Sequence, residues 1–394
     1  MKNEATEVGM SSQETVHLGY LDSLRGLAAL YVLLHHSSLQ IASYGESPNI
    51  FVTALVYAIV NGVKYGHYAV VLFIVLSGFC LMLPVIRNNG EIKGGAINFF
   101  KKRVRRILPP YYLAMGLSLL LILTLIGGST GTHWDVSIPV TTKDIITHLL
   151  LVQDVFADTA LKINHTFWSI SVEWRIYFLF PILILLWKRF GALTVTLSAL
   201  VLSFTVYFAL YTYFRFFPPS PINLNPYGIC PHYVGLFTLG MLSAEISFSK
   251  QSNFVLLRQK LPWRILALSA IAIALVIYDK LINSGSVWVI ADLIAGIGAS
   301  CLLVFASSTR NRLFNDALAW KPLVFIGGFA YSLYLIHAPL LQIISQYLLT
   351  PLGLAPWIEL LVLCFVGAPI VTGCSYLFFL LFERPFLSKK RIAS

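Results

Sequence analysis

Charge is scarce in this sequence. Only 11% of its 394 residues are Asp, Glu, Lys or Arg, where a soluble domain carries about a quarter. That scarcity excludes a soluble enzyme and a charge-rich disordered chain. With 57% hydrophobic residues and a positive mean hydropathy, it defines a polytopic membrane protein. Cysteine is scarce too. Cys80, Cys230, Cys301, Cys364 and Cys374 lie scattered in or beside apolar segments without a Cys-x-x-Cys pair. They have no histidine partners at metal-like intervals either, and the five read as small core hydrophobes. No repeat of fixed period and no low-complexity tract is visible, so a solenoid is not expected. Residues 1–20 hold no apolar h-region; the first span is expected to act as an uncleaved anchor.

What is present is a series of apolar runs of about 20 residues, the length at which a helix crosses a bilayer. Ten are expected, over 22–43, 66–86, 107–127, 166–187, 192–213, 228–247, 264–282, 287–306, 322–348 and 357–382, with a shorter, interfacial piece at 50–60. The 128–165 connection is long enough to hold a helix or lid. The net charge of +11 fits nucleic acid, anionic lipid or topology. Counting decides for topology. Of the 28 Lys and Arg, 21 fall on one set of alternate loops and 5 on the other, with Arg25 and Arg175 inside spans. Positive-inside bias then places both termini in the cytoplasm, and nucleic acid is discounted as a partner. The expected architecture is all-α: a cytoplasmic tail over 1–20, a ten-helix membrane domain over 21–384 and a cytoplasmic tail over 385–394. Only eight residues follow "FERPF", so the chemistry is expected of the bundle and its loops.

Ionisable residues at membrane depth are costly and mark function by default. "LDSLRGLAALYVLLHH" (21–36) carries four of them. Arg25 and His36 are 11 positions apart, about three turns at roughly 100° per residue. They share a stripe with Asp22, Ala29 and Leu33, about 16 Å long; His35 points about 100° away from it. Arg25 alone would read as an interfacial snorkelling cation, but the pair on one face reads as a functional stripe. "NHTFWSISVEWRIYFLFP" (164–181) places Glu173 in an apolar helix, about 10 Å below the outer surface, the same depth as His36. A carboxylate orienting an imidazole suits general-base catalysis; a structural pair of Glu173 with His36 or Arg175 is the alternative. His337, in "SLYLIHAP", reaches a similar level, as a packing residue or a member of the same site. Arg103 and Arg106, in "NFFKKRVRRILPPYY" (98–112), share a helix face ahead of a backbone break expected at Pro109-Pro110. They suit either anionic lipid or a phosphorylated cytoplasmic ligand. Ser77-Gly78, in "VVLFIVLSGFCLMLP", allows close helix packing or clears a passage for a slim ligand. His67, at the outer start of that helix, is expected at the interface. No metal site is read.

In these motifs the chain resembles the membrane acyltransferase-3 family over roughly 18–386. The marks are "LDSLRGLAAL…H" with its Arg-x10-His, "LFIVLSGF", "RVRRILPPYY", "FWSISVEW", "YSLYLIHAPL" and "FERP". The resemblance implies ten-helix enzymes that move acyl groups, commonly acetyl, from cytoplasmic acyl-CoA to hydroxyls of sugars or other acceptors. No tightly bound cofactor is implied; acyl-CoA is the co-substrate. His36 is implied as the essential histidine, Arg25, Arg103 and Arg106 as the donor site, and Glu173 as part of the reaction centre. Asp22, His35, Ser77, Trp168, Tyr334 and His337 fall in the same motifs as supporting candidates. Some relatives carry a fused extracytoplasmic esterase-like domain that is not found here, so acceptor delivery falls to the bundle, the 128–165 connection or a separate protein. The implied activity is a membrane O-acyltransferase acting on a sugar or cell-surface glycan in the inner or plasma membrane. A transporter or flippase for a sugar- or lipid-linked substrate is the alternative, although matching Gly/Pro-interrupted halves are not visible.

Overall fold

The computed structural model describes residues 19–41, 43–45, 47–217, 223–225, 228–281, 288–308 and 318–387. The expected tails therefore lie outside the described residues, except for Gly19 and Tyr20, which open the first helix, and 385–387. Fifteen α-helices are described: α1 (Gly19–Leu39), α2 (Ile50–Val63), α3 (Gly66–Arg87), α4 (Gly95–Leu121), α5 (Thr142–Leu149), α6 (Trp168–Phe190), α7 (Ala192–Phe216), α8 (His232–Phe248), α9 (Ser252–Lys260), α10 (Trp263–Leu281), α11 (Trp288–Ser308), α12 (Lys321–Gly328), α13 (Ala330–Ile343), α14 (Pro356–Val362) and α15 (Ala368–Phe378). Wider π-turns extend α4 and α13, join α14 to α15, and carry α15 on to Glu383. An isolated bridge between Phe156 and Leu224 is the nearest approach to a strand among the described residues.

Seven helical stretches are long and apolar enough to cross a membrane, or eight if α9 and α10, bent by 69° at their junction, count together. All ten expected segments are largely helical. Two fall outside this length-and-apolarity test, and a third, over α10, meets it only together with α9. In α1 the polar groups Asp22, Arg25, His35 and His36 dilute the apolar content, and α8 is only 17 residues long. Both sit among the other helices, where polar or short segments are shielded from lipid. The 50–60 piece forms α2, which leads almost directly into α3. Around the outside, Ile182, Leu185, Leu193, Leu197, Val201 and Leu202 of α6 and α7 are exposed. Such a continuous apolar surface suits hydrocarbon and is a liability in water.

Helices meet most closely where glycine removes a side chain. At the α3–α8 crossing, a Cβ on Gly78 would lie 2.0 Å from the Phe237 carbonyl, and one on Gly240 would lie 2.0 Å from that of Val75. At the α1–α12 crossing, a Cβ on Gly26 would meet the Leu323 carbonyl at 2.5 Å and one on Gly327 the Asp22 carbonyl at 1.8 Å. These are the close backbone approaches that drive packing in lipid, where burial of apolar surface supplies little. The break expected at Pro109-Pro110 does not occur, and α4 runs through both residues. A proline keeps the helical φ and removes one hydrogen bond, a loss that membrane helices tolerate.

The 128–165 connection does hold helical structure: α5 and two 3₁₀ turns, His133–Ser137 and Gln153–Val155. It is pinned down at several points. The Trp134 indole N–H donates to the Ile126 carbonyl at 3.0 Å, Asn164 donates to the Leu335 carbonyl at 2.9 Å, and the buried Asp154 pairs with Arg175. Arg175, expected inside a span, thus ties the start of α6 to the connection.

Candidate active site

Two polar features lie side by side in the bundle. The first is a cavity enclosing about 1000 Å³ of unfilled space, part of it open to solvent. Along α3 its lining runs from Leu81 to Val70, a length of about 16 Å. Arg25, Arg103 and Arg106 contribute three cations, while Glu173 and Glu383 contribute two carboxylates. Arg25 is held on both sides: it donates to Asp22 Oδ1 at 2.6 Å, one turn earlier on α1, and to Cys80 Sγ at 2.9 Å. The Arg103 guanidinium lies over the Phe99 ring at 5.9 Å, and its buried Nε has no hydrogen-bond partner. An unsatisfied guanidinium donor lining a cavity is an invitation to an anionic ligand. Glu173 Oε1 accepts from Tyr177, four residues on along α6, at 2.5 Å, and the Tyr177 hydroxyl is 3.1 Å from Ser77 Oγ. Of the pair Ser77-Gly78, Gly78 packs against α8 and Ser77 faces the cavity.

The second feature is a cluster of imidazoles. His36 of α1 meets His337 of α13, His165 just before α6, and His133 from the 128–165 connection. Its ring centroid lies 5.0 Å from those of His337 and His165 and 6.0 Å from that of His133. Hydrogen bonding fixes the proton on one pair. His337 Nδ1 faces two backbone carbonyls, Tyr334 at 2.9 Å and Leu333 at 3.1 Å. Carbonyls only accept, so Nδ1 carries the proton, and the Nε2 of a neutral ring is then an acceptor. That Nε2 lies 2.9 Å from His36 Nδ1. His36 Nδ1 must donate, which leaves a lone pair on His36 Nε2. The two members outside the spans, His133 and His165, are pushed below the usual imidazole range by burial, His165 also by neighbouring imidazoles. Both are neutral near pH 7.

Tyr334 joins the two features. It lines the cavity, its hydroxyl is 2.7 Å from Ser169 Oγ, and its ring centroid lies 5.8 Å from that of His337, three residues on along α13. The arginine-lined cavity thus extends to within one helical turn of the His337–His36 pair.

Of the residues expected in the site, Arg25, Arg103, Arg106, Ser77, Glu173 and Tyr334 line one cavity. His36 and His337 are brought together beside it. His36 takes its partner from His337 and not from Glu173, whose carboxylate is held by Tyr177 on its own helix. The stripe between Arg25 and His36 is not open: Ala29 and Leu33 are buried with Phe329, Ala330 and Leu333, and the cavity runs alongside, against α3. His35 has its Nδ1 on the Val63 carbonyl at 3.0 Å and its ring so close to Gly66 that a Cβ there would lie 2.3 Å from it, while its ring centroid is 5.3 Å from that of His36. Asp22 holds Arg25. Trp168 packs toward Tyr233, ring centroids 6.4 Å apart, and is not among the cavity-lining residues. His67, at the start of α3, bonds the buried carboxylate of Asp292 at 2.9 Å, as does His232 at 3.0 Å. Sequence reasoning missed His133, His165, Tyr177 and Glu383. His165 and Tyr177 stood inside the quoted "NHTFWSISVEWRIYFLFP" and Glu383 inside "FERP"; the available signal was that the loop beside one candidate helix carries histidines of its own.

The fold defines the class: a helical, multi-pass integral membrane protein whose polar groups converge inside the bundle. The acyltransferase-3 family, described as an acyltransferase domain, matches residues 18–379, and the chain belongs to that family. Similar proteins include the O-acetyltransferase OatA of Staphylococcus aureus strain NCTC 8325 / PS 47 and its counterpart in strain COL. Each is 23% identical over 350 residues, covering 84% of this chain and 52% of the relative. The chain thus spans about half the length of the curated relatives it matches. No solved structure matches it.

Proposed function

We propose that this protein is a membrane O-acyltransferase that moves an acyl group, acetyl foremost, from a cytoplasmic acyl-CoA to a hydroxyl of a sugar or cell-surface glycan. The carrying observation is the arginine-lined cavity that ends at Tyr334, one helical turn from His36–His337. In this reading both termini face the cytoplasm of an inner or plasma membrane, and 21–384 form one catalytic membrane domain. Arg103, Arg106 and Arg25 hold the phosphates of coenzyme A, guanidinium forks matching phosphate geometry. The slim pantetheine arm follows the α3 face of the cavity past Ser77 and brings the thioester toward Tyr334. Glu173, held by Tyr177, offsets the positive charge of the donor site. The imidazole cluster receives the acceptor from the other side, where the 128–165 connection closes over it or a separate protein delivers it.

His36 Nε2 takes the proton of the acceptor hydroxyl as its oxygen attacks the thioester carbonyl. The C–O bond forms, the C–S bond breaks, and the thiolate leaves with the proton returned by His36. His337 fixes the ring and stabilises the charge that develops on it, the role a carboxylate plays in many triads. The name of the OatA relatives supports acetyl transfer to oxygen. Reconstituted protein supplied with radiolabelled acetyl-CoA and surface glycan should transfer label, and His36→Ala should stop it while the variant elutes as a folded protein. Undiminished transfer by that variant ends the base assignment.

A further inference from the structure

Three imidazoles of the cluster point nitrogens at a common volume. One ring nitrogen each from His36, His133 and His165 lies within 4.8 Å of the others. We infer that these three side chains form a binding site for a divalent transition-metal ion of the zinc class, and that occupancy there shuts the enzyme off.

The geometry is close to what such an ion needs. Bonds of about 2.0–2.1 Å in a tetrahedral arrangement place nitrogens about 3.4 Å apart, so each ring moves by less than about 1 Å. The protonation pattern is also suitable. His36 Nε2 carries a lone pair because its Nδ1–H is directed at His337, the outer hydrogen bond that orients metal-ligating histidines. His165 Nδ1 is 3.1 Å from Ser137 Oγ, while its Nε2 is buried and has no hydrogen-bond partner. With Nδ1–H given to Ser137, that orphaned nitrogen keeps a lone pair free to serve as a ligand. Neither nitrogen of His133 has a hydrogen-bond partner among the described residues, and its partial exposure leaves a path of entry. The donor set selects the ion. Three neutral imidazoles without a carboxylate suit zinc, copper, nickel or cobalt and disfavour magnesium and calcium. The inhibitory part rests on the proposed role of His36 as base, because the metal takes the lone pair that the acceptor proton requires. The binding part does not.

The test uses the full-length protein in detergent, stripped with EDTA and titrated with Co²⁺. One equivalent should produce the intense visible bands of a four-coordinate ion, and Zn²⁺ should displace it. His133→Ala, on the accessible turn, should weaken Zn²⁺ binding by more than about 100-fold, and Ser137→Ala, which only orients His165, by about 10-fold. His67→Gln, in the separate Asp292 cluster, should leave the bands intact. Acetyl transfer by the wild type should fall as Zn²⁺ fills the site and return with EDTA, while residual transfer by His133→Ala should lose that sensitivity. Absence of bands in the wild type, or identical bands in His133→Ala, overturns the site and leaves the acyltransferase reading standing. Bands with undiminished transfer overturn the inhibition.

Discussion

The chemistry of His36 is set by what holds its far nitrogen. His337 does so through a chain of hydrogen bonds that begins at two backbone carbonyls and ends in the lone pair of His36 Nε2. His337 acts here as a positioning residue, and its variants should separate the hydrogen bond from mere bulk. His337→Phe fills the space but removes the acceptor; transfer should fall about 100- to 1000-fold. His337→Gln keeps an acceptor oxygen for His36 Nδ1–H and should recover a substantial part of the loss, with the pH profile of the rate displaced from that of the wild type. Equal loss in both variants would reduce His337 to packing. Arg103→Ala and Arg106→Ala should each raise the KM for acetyl-CoA by about tenfold, roughly one charge-assisted contact, with a smaller change in kcat. Outside the spans, His148 of α5 is fully buried, its Nδ1 held by the Asp144 carbonyl at 2.7 Å, and burial lowers its pKa from 6.5 to about 4. The folded protein resists protonation that the unfolded chain accepts. Stability is thus complete above pH 6.5 and declines as pH falls toward about 4. His148→Gln should flatten that stretch of a melting-temperature-against-pH curve; an unchanged slope would assign the decline to other groups.

At the level of helices, the glycine crossings decide how close the cavity-bearing elements stand. Gly240→Leu would drive a side chain into the Val75 carbonyl across the α3–α8 crossing, and overpacking of this kind costs about 1–3 kcal/mol or more. A drop of several degrees in the detergent melting temperature is expected, along with loss of transfer as α3 shifts beside the cavity. Gly373→Leu on α15, where a Cβ meets nothing within 4 Å, should melt close to the wild type. The same crossings show which parts of the site were legible before any coordinates. A polar residue in an apolar run announces itself, so Arg25, Ser77, Arg103, Arg106, Glu173 and Tyr334 were all visible, and all six line one cavity. Helical spacing states how far a side chain is rotated and how deep it lies. It does not state which helix stands opposite, so Glu173 was expected against His36 where His337 is found. His133 and His165 come from an irregular connection with no period to place their side chains, and only the folded chain brings them to His36.

Across the whole molecule, the proposed chemistry requires the two polar features to open to opposite sides of the membrane. The arginine entrance lies in the first half of α4, in the 87–106 stretch that carries 7 of the 21 basic residues assigned to the cytoplasm. The histidine cluster lies under the 128–165 connection, which holds only Lys143 and Lys162, with Lys143 bonded to Asp158 at 2.6 Å. Two exposed positions therefore report on topology. Lys93→Cys, in the basic loop, should resist a membrane-impermeant maleimide in intact cells and react after permeabilisation; Asp158→Cys, on the connection, should react in intact cells. The unsubstituted chain serves as background, because Cys230, Cys301 and Cys364 are buried and Cys80 and Cys374 are only partly exposed. If the two positions react with equal ease from outside, the loops share one face. A donor entering from the cytoplasm would then have no entrance at Arg103 and Arg106, and the cavity would have to be assigned to an extracytoplasmic acyl donor.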